Sequence, residues 1–313
     1  ASLSNDNFAE YDTRVKDAFQ QDTDFSRLKN LCHYEHIVED CYWEYGDNLG
    51  DSELFTPTFR TNIFLNGFDF DFIDRDNYSI RRFFGEKPND IDKYIEEMEN
   101  IIKTKINGGC VALKCAIAYE RGLNFYKTTK ENANEILIKS KENWTKKNID
   151  DFQSYVFYKL CEIASEFDVP FQIHTGLGQI DKTNAINLNE VIKDNPTTKF
   201  VLFHLSFPHF EDVVALAHNY ANVYPDVCWV PLLSFNSAIL ALNQIIDTTN
   251  GDKMCWGCDT WTFEESYGAI LAMKYVLVEV LSKRIDDNFM TLPDAEEFID
   301  NIFYNNAKKL YKL

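Results

Sequence analysis

Basic charge is scarce in this chain. Its 313 residues carry 31 Lys and Arg against 50 Asp and Glu, a formal net charge of −19. A field of that sign repels phosphate polyanions and anionic bilayers, so neither nucleic acid nor a membrane is expected as a partner. A small anionic substrate stays open, because one or two buried cations override a distant field. Long apolar runs are missing too: none approaches the roughly 20 residues that span a bilayer. Ala1 to Lys16 is polar and holds no apolar signal core, which gives a cytoplasmic expectation. No Pro/Gly/Ser-rich linker or low-complexity stretch interrupts the chain, so residues 1–313 are expected to form one domain. Cysteine is present eight times, but spread through apolar runs, as reduced core residues are and disulfide frameworks are not.

What is abundant is core material: 45% of residues are hydrophobic and 15% aromatic, which rules out disorder as a global description. Strand-length apolar runs recur at 36–43, 61–66, 110–117, 171–175, 200–205, 223–229 and 254–259. Helical patterns alternate with them at 91–105, 151–167, 188–193, 210–219, 237–247 and 262–281, followed by a closing helix at 293–311. An opening helix is expected over 5–20, and the lysine-rich stretch 127–147 reads as an exposed insertion. Regular strand–helix alternation means a parallel sheet with right-handed crossovers. The fold class is α/β, and the architecture a (β/α)8 TIM barrel, distorted, with seven strands where eight are wanted. The first is the one absent from these residues.

Three apolar runs end on metal-capable side chains: His174 in Gln172-Ile173-His174-Thr175-Gly176, His204 in Leu202-Phe203-His204-Leu205-Ser206, and Asp259 in Trp256-Gly257-Cys258-Asp259-Thr260. In a barrel of parallel strands, that edge is where chemistry is done. Alternation along a strand puts Gln172 with His174, Leu202 with His204, and Cys255 and Gly257 with Asp259. If those faces point inward, His174, His204 and Asp259 converge at the mouth, and neutral imidazoles with a carboxylate suit Zn²⁺ or a similar divalent ion. Two core histidines and a strand-end cap would explain any one of them alone, but not three in register.

Other candidates carry a bland alternative. Lys114 lies in mid-strand among apolar neighbours, a costly place for a charge unless it meets an anion, either a substrate carboxylate or a structural partner. Arg121 can grip a carboxylate through two hydrogen bonds or be a solvated loop residue. Tyr119, and Trp229 at the end of the 223–229 run, complete the candidate substrate-binding set. Cys255 and Cys258 spell a CxxC, yet on a strand residues three apart face opposite ways, so core packing explains them better. His33 and His36 run into a strand and read as surface or strand-entry residues, as His209 and His218 do on the outer layer. Gly176-Leu177-Gly178 allows a tight loop, without the third glycine of a dinucleotide fingerprint.

These motifs, together with Val111-Ala112-Leu113-Lys114, Ala118-Tyr119-Glu120-Arg121-Gly122-Leu123, the 222–229 run and Asn306-Ala307-Lys308-Lys309-Leu310-Tyr311, make the chain resemble the amidohydrolase superfamily. The likeness is to its amidohydrolase-2 branch of uronate isomerase-like and decarboxylase-like proteins. The resemblance implies a distorted barrel with one divalent metal, usually zinc, with Mn²⁺ or Fe²⁺ as alternatives. It makes His174 a fifth-strand ligand and His204 a sixth-strand ligand or acid/base. It makes Asp259 the eighth-strand residue that binds metal and orients or deprotonates the attacking water. Lys114 and Arg121 would bind a carboxylate or sugar-acid group. One departure is visible: the family's first strand carries His-x-His, and none occurs among the six histidines here. The expected function is metal-dependent hydrolysis of a small carboxylate- or sugar-acid-type substrate at a C–N, ester or lactone bond, in a possible homo-oligomer. Uronic-acid isomerisation or non-oxidative decarboxylation on the same site is the alternative. A barrel without catalysis, used for binding or scaffolding, is the reading from another class.

Overall fold

A computed structural model of the chain describes residues 4–21 and 25–313; the first three residues of the polar start lie outside it. Six parallel strands follow one another in sequence order across a single sheet: β1 (Ile37–Glu39), β2 (Phe55–Arg60), β3 (Ala112–Cys115), β4 (Phe171–His174), β5 (Phe200–Phe203) and β6 (Val223–Pro225). The register carries straight across, Arg60 facing Lys114, Lys114 facing Gln172, and Gln172 facing Val201. Neighbours in sequence pairing in parallel, with helices between them, make a sheet that curls toward a barrel. The seventh expected run, Met254 to Asp259, adds no ladder. It joins the sheet through one bridge, Asp226 to Cys255, with Cys255 N–H on Pro225 O and Val227 N–H on Cys255 O.

The expected strand at 61–66 is a short, buried helix, Asn62–Leu65, and the strand is the six residues before it. Periodicity cannot tell a buried strand from a buried helical turn over so few residues, and Pro57 weakens the true strand in a sequence reading. The fold accommodates Pro57 opposite Glu39 of β1, where its carbonyl still accepts from Val111 N–H at 3.0 Å. The lysine-rich stretch is not a detached insertion either. Within it the helix Lys130–Ile138 buries Ala133, Ile136 and Leu137, spaced to share one face. Trp144 donates to Ile136 O across the turn that follows.

The opening helix, Phe8–Gln21, keeps Phe8 and Val15 exposed. The closing segment is Leu292–Asp300, a π-helical turn at Asn301–Asn305, and Asn306–Tyr311. It ends inside the sheet's curl, where Gln172 Nε2 of β4 donates to Tyr311 Oη at 2.9 Å. All eight cysteines are free and seven of them are buried, as core residues are. No helix among the described residues is long and apolar enough to cross a membrane.

Candidate active site

The strand ends open onto a cavity of about 900 Å³, lined among others by Glu39, Arg60, Lys114, His174, Cys228 and Asp259. Parallel strands point the same way, so one edge of the sheet gathers side chains from segments far apart in sequence. A second, more open depression of about 520 Å³ lies elsewhere, around Asp69, Arg81, Lys141 and Trp144. Two of its cations are paired within it, Arg81 with Asp71 and Lys141 with Asp69.

His174 is the last residue of β4 and is buried. Its Nε2 lies 2.6 Å from Leu177 O, the Tyr119 ring packs 4.5 Å from its own, and its Nδ1 lies 3.1 Å from Nε2 of His204. The return loop needs glycine: Gly176 has φ +77°, and a Cβ there would stand 2.3 Å from Phe207 O.

His204 follows β5 and is fully buried. Strict alternation would place it with Leu202, but the backbone leaves the strand here. His204, Leu205 and Ser206 have φ of 63°, 46° and 55°, a conformation costing about 1–2 kcal/mol for each such residue. The turn puts Phe203 on the cavity wall and tucks His204 behind it. Its Nδ1 lies 3.2 Å from Cys228 O and 3.4 Å from Cys228 Sγ, while Nε2 lies 3.7 Å from Asp259 Oδ2. Asp259 and Trp229 also have positive φ, 52° and 63°. Left-handed backbone at several residues around one group of side chains is characteristic of a functional site.

The donor set fits a divalent cation. With a proton on Nδ1, His204 bonds to Cys228 O; with one on Nε2, His174 bonds to Leu177 O. The facing nitrogens, His204 Nε2 and His174 Nδ1, are then both bare, 3.1 Å apart, a pairing that only a cation or a shared proton stabilises. Imidazoles whose other N–H is tied to a carbonyl are typical metal ligands. A ring nitrogen of His204, Sγ of Cys228 and a carboxylate oxygen of Asp259 also lie within 4.8 Å of one another. His204 and Asp259 are common to both groupings.

Electrostatics agree. Burial holds His174 well below the usual imidazole range and His204 down at about 3, with the Lys114 charge adding to both. Both rings are therefore neutral, as metal ligation requires. Burial raises Glu39 and Glu120 to about 7 and Asp226 to about 6.

These shifts predict the acid behaviour of the metal-free chain. Unfolded imidazoles take protons near 6.5, whereas the folded ones do so only far lower, so stability falls as pH drops through that window. Glu39, Glu120 and Asp226 act in the opposite sense, holding protons in the fold that the unfolded chain releases, and their effect saturates below roughly pH 4. Melting temperature should therefore change little from pH 7 to 4.5 and fall steeply toward pH 3. A melting temperature that holds flat down to pH 3.5 in thermal scans would contradict neutral, buried rings.

Lys114 is 4% exposed and makes no ion pair among the described residues. Its Nζ lies 3.3 Å from the centroid of the Phe203 ring. Burial lowers its pKa, and the charges of Asp40 and Asp259 oppose that shift. Arg121 stands apart from the cavity: its guanidinium bonds to Gly122 O, Gln153 Oε1 and Asn124 O and lies over the Phe125 ring. The cavity's arginines are Arg60 and Arg75 instead. Arg60 is neutralised by Asp40 and Asp76, whereas Arg75 stacks on Tyr119, 4.1 Å from its centroid. Tyr119 and Trp229 both line the cavity.

Sequence reasoning missed Asp226, Cys228, Glu39 and Arg75. A buried aspartate inside an apolar run is the same signal that exposed Lys114, so Asp226 could have been found. Arg75 sits in a polar loop with no such mark.

A sequence model of the amidohydrolase family matches residues 138–313. Protein fluG of Emericella nidulans is 29% identical over 150 residues, which make up 46% of this chain and 17% of that protein. The chain thus spans only a small part of the curated relative it matches. Among solved structures, uronate isomerase from Thermotoga maritima superposes with a TM-score of 0.80 at 18% identity, covering 99% of this chain and 75% of its own. Glucuronate isomerase from Caulobacter crescentus gives 0.73 at 17%, covering 99% and 71%. A Lactobacillus casei protein provisionally described as a metal-dependent hydrolase gives 0.72 at 17%, covering 91% and 76%. At these identities the superpositions establish the fold.

Proposed function

This chain belongs to the amidohydrolase family, and we propose that it is a metal-dependent hydrolase of small carboxylate- or sugar-acid-type substrates. The family implies a divalent metal. Zinc is the ion we infer here, held by His204 and Asp259 with His174 beside them, since neutral imidazoles with one carboxylate form a common catalytic zinc set. When bound, such an ion acidifies a water and polarises the group under attack. The observation that carries this reading is the coincidence, on one sheet edge, of facing neutral histidines, Asp259 and an unpaired buried ammonium at Lys114.

The protein's own groups divide the work. Lys114 and Arg75 are the cavity cations without a carboxylate partner among the described residues, and they would hold the substrate's carboxylate at the floor and the mouth. Tyr119 and Trp229 would wall the substrate in. Asp259, half exposed, would accept the proton of the attacking water, which it can do because it faces the cavity rather than the core. Arg121, tied to Gln153 and backbone carbonyls, is assigned to holding its loop.

Uronic-acid isomerisation is the second reading, favoured by the two isomerase neighbours in fold and by the same pair of cations. One experiment separates the two. Protein expressed with supplemented Zn²⁺, Mn²⁺ or Fe²⁺ is assayed for metal content and screened against lactones, N-acyl and ester carboxylates and uronates. Stoichiometric metal with turnover of lactones, esters or amides, and no interconversion of aldo- and keto-acids, is the expected result. Metal-independent binding without turnover would leave a scaffold.

A further inference from the structure

The buried thiol of Cys228 has no part in the reading above. We propose that Cys228 is a thiolate ligand of the metal, making the centre a mixed nitrogen, oxygen and sulfur site with His204 and Asp259; this rests on the metal-dependent reading.

The argument is geometric. Cys228 Sγ lies 3.4 Å from Nδ1 of His204. When His204 instead carries its proton on Nε2 and gives it to His174 Nδ1, 3.1 Å away, Nδ1 is the bare nitrogen beside the sulfur. Two donors on one tetrahedral zinc, with Zn–S about 2.3 Å and Zn–N about 2.0 Å, stand about 3.5 Å apart. Sγ, a ring nitrogen of His204 and an oxygen of Asp259 form the compact donor group among the described residues, and His174 is not a member of it. The thiol is also held in place. Cys228 N–H donates to Asp226 Oδ1 at 2.8 Å, and Cys228 O accepts from Val230 N–H at 2.8 Å. Gly257 lies beside it, where a Cβ would stand at ordinary contact distance, 3.6 Å, from Cys228 Cβ.

A sulfur donor changes which ion the site prefers. Thiolate with imidazole favours Zn²⁺ and Co²⁺ over Mg²⁺ or Mn²⁺. Coordination requires the thiol to lose its proton to solvent as the metal–sulfur bond forms, so uptake of the ion releases one proton from this residue. Burial keeps the thiol protonated when no metal is bound.

The probe is Co²⁺ added to the metal-free full chain and followed by absorption. Visible ligand-field bands report that cobalt is bound, whatever the donors. A near-ultraviolet sulfur-to-cobalt charge-transfer band reports thiolate. We expect both in the wild type. The near-ultraviolet band should be lost in Cys228→Ser and in Cys228→Ala, with the visible bands kept, and it should persist in Cys258→Ser and His174→Asn. Visible bands without the charge-transfer band in the wild type, or a band that survives Cys228→Ser, would overturn the proposal and leave the metal-dependent reading standing. Absence of both would overturn the two together. Should the Cys228 variants fail to fold, the ¹¹³Cd resonance of cadmium-loaded wild type decides without them. A strongly downfield thiolate position supports the proposal, and a position typical of nitrogen and oxygen donors alone rejects it.

Discussion

Asp259→Asn is expected to abolish turnover while leaving the barrel folded. The side chain is 47% exposed, so losing its charge removes no core contact, and substitutions of that kind usually stay within about 0.5 kcal/mol. The backbone also favours this variant, because φ is +52° and Asn tolerates the left-handed region better than most residues. What changes is chemistry. An amide cannot take the proton of an attacking water and is a poor anionic donor to a metal. Loss of a proton-transfer group costs on the order of 10²–10⁴-fold in kcat. Steady-state kinetics beside a melting curve test the pair of statements, and an unchanged kcat would remove Asp259 from the site.

Lys114→Met should produce the opposite combination, a firmer fold and a weaker grip on substrate. Methionine keeps the length of the side chain and removes a buried ammonium that makes no ion pair among the described residues. Replacing a buried charge with a well-packed apolar group is often neutral or stabilising. The substrate carboxylate, in contrast, loses its counter-charge, a loss of about 2–5 kcal/mol, or roughly 30-fold or more in affinity. Were Lys114 instead one half of a structural ion pair, the variant would destabilise the protein by about 3–5 kcal/mol. Melting temperature and substrate affinity, read together, tell the two roles apart.

The end of β4 was legible in the sequence because its apolar run stops at a polar residue, His174, whereas the run ending at Asp259 was found as a segment that makes a single bridge, at Cys255, and no strand. The order of elements follows from the same pattern of apolar runs. The short stretch 61–66 was not legible, because four buried residues look alike as strand or as helical turn. His204 was found as a residue but misplaced by face, since alternation holds only while φ stays extended and here it does not. Arg121 and Arg75 exchanged places for another reason. A loop arginine's fate depends on which carbonyls lie near it in the fold, and nothing in the neighbouring residues records that. Cys228 was hidden among seven other cysteines, six of them buried in the same way.

The left-handed turn at His204, Leu205 and Ser206 bears on how this protein fails. Three adjacent residues in an unfavourable conformation form no autonomous element, so only the finished barrel around them holds them there. Damage anywhere in the barrel that weakens this support will relax the turn before the helices melt. An injured molecule is therefore expected to lose the placement of His204 first, in a chain whose helical content still looks normal.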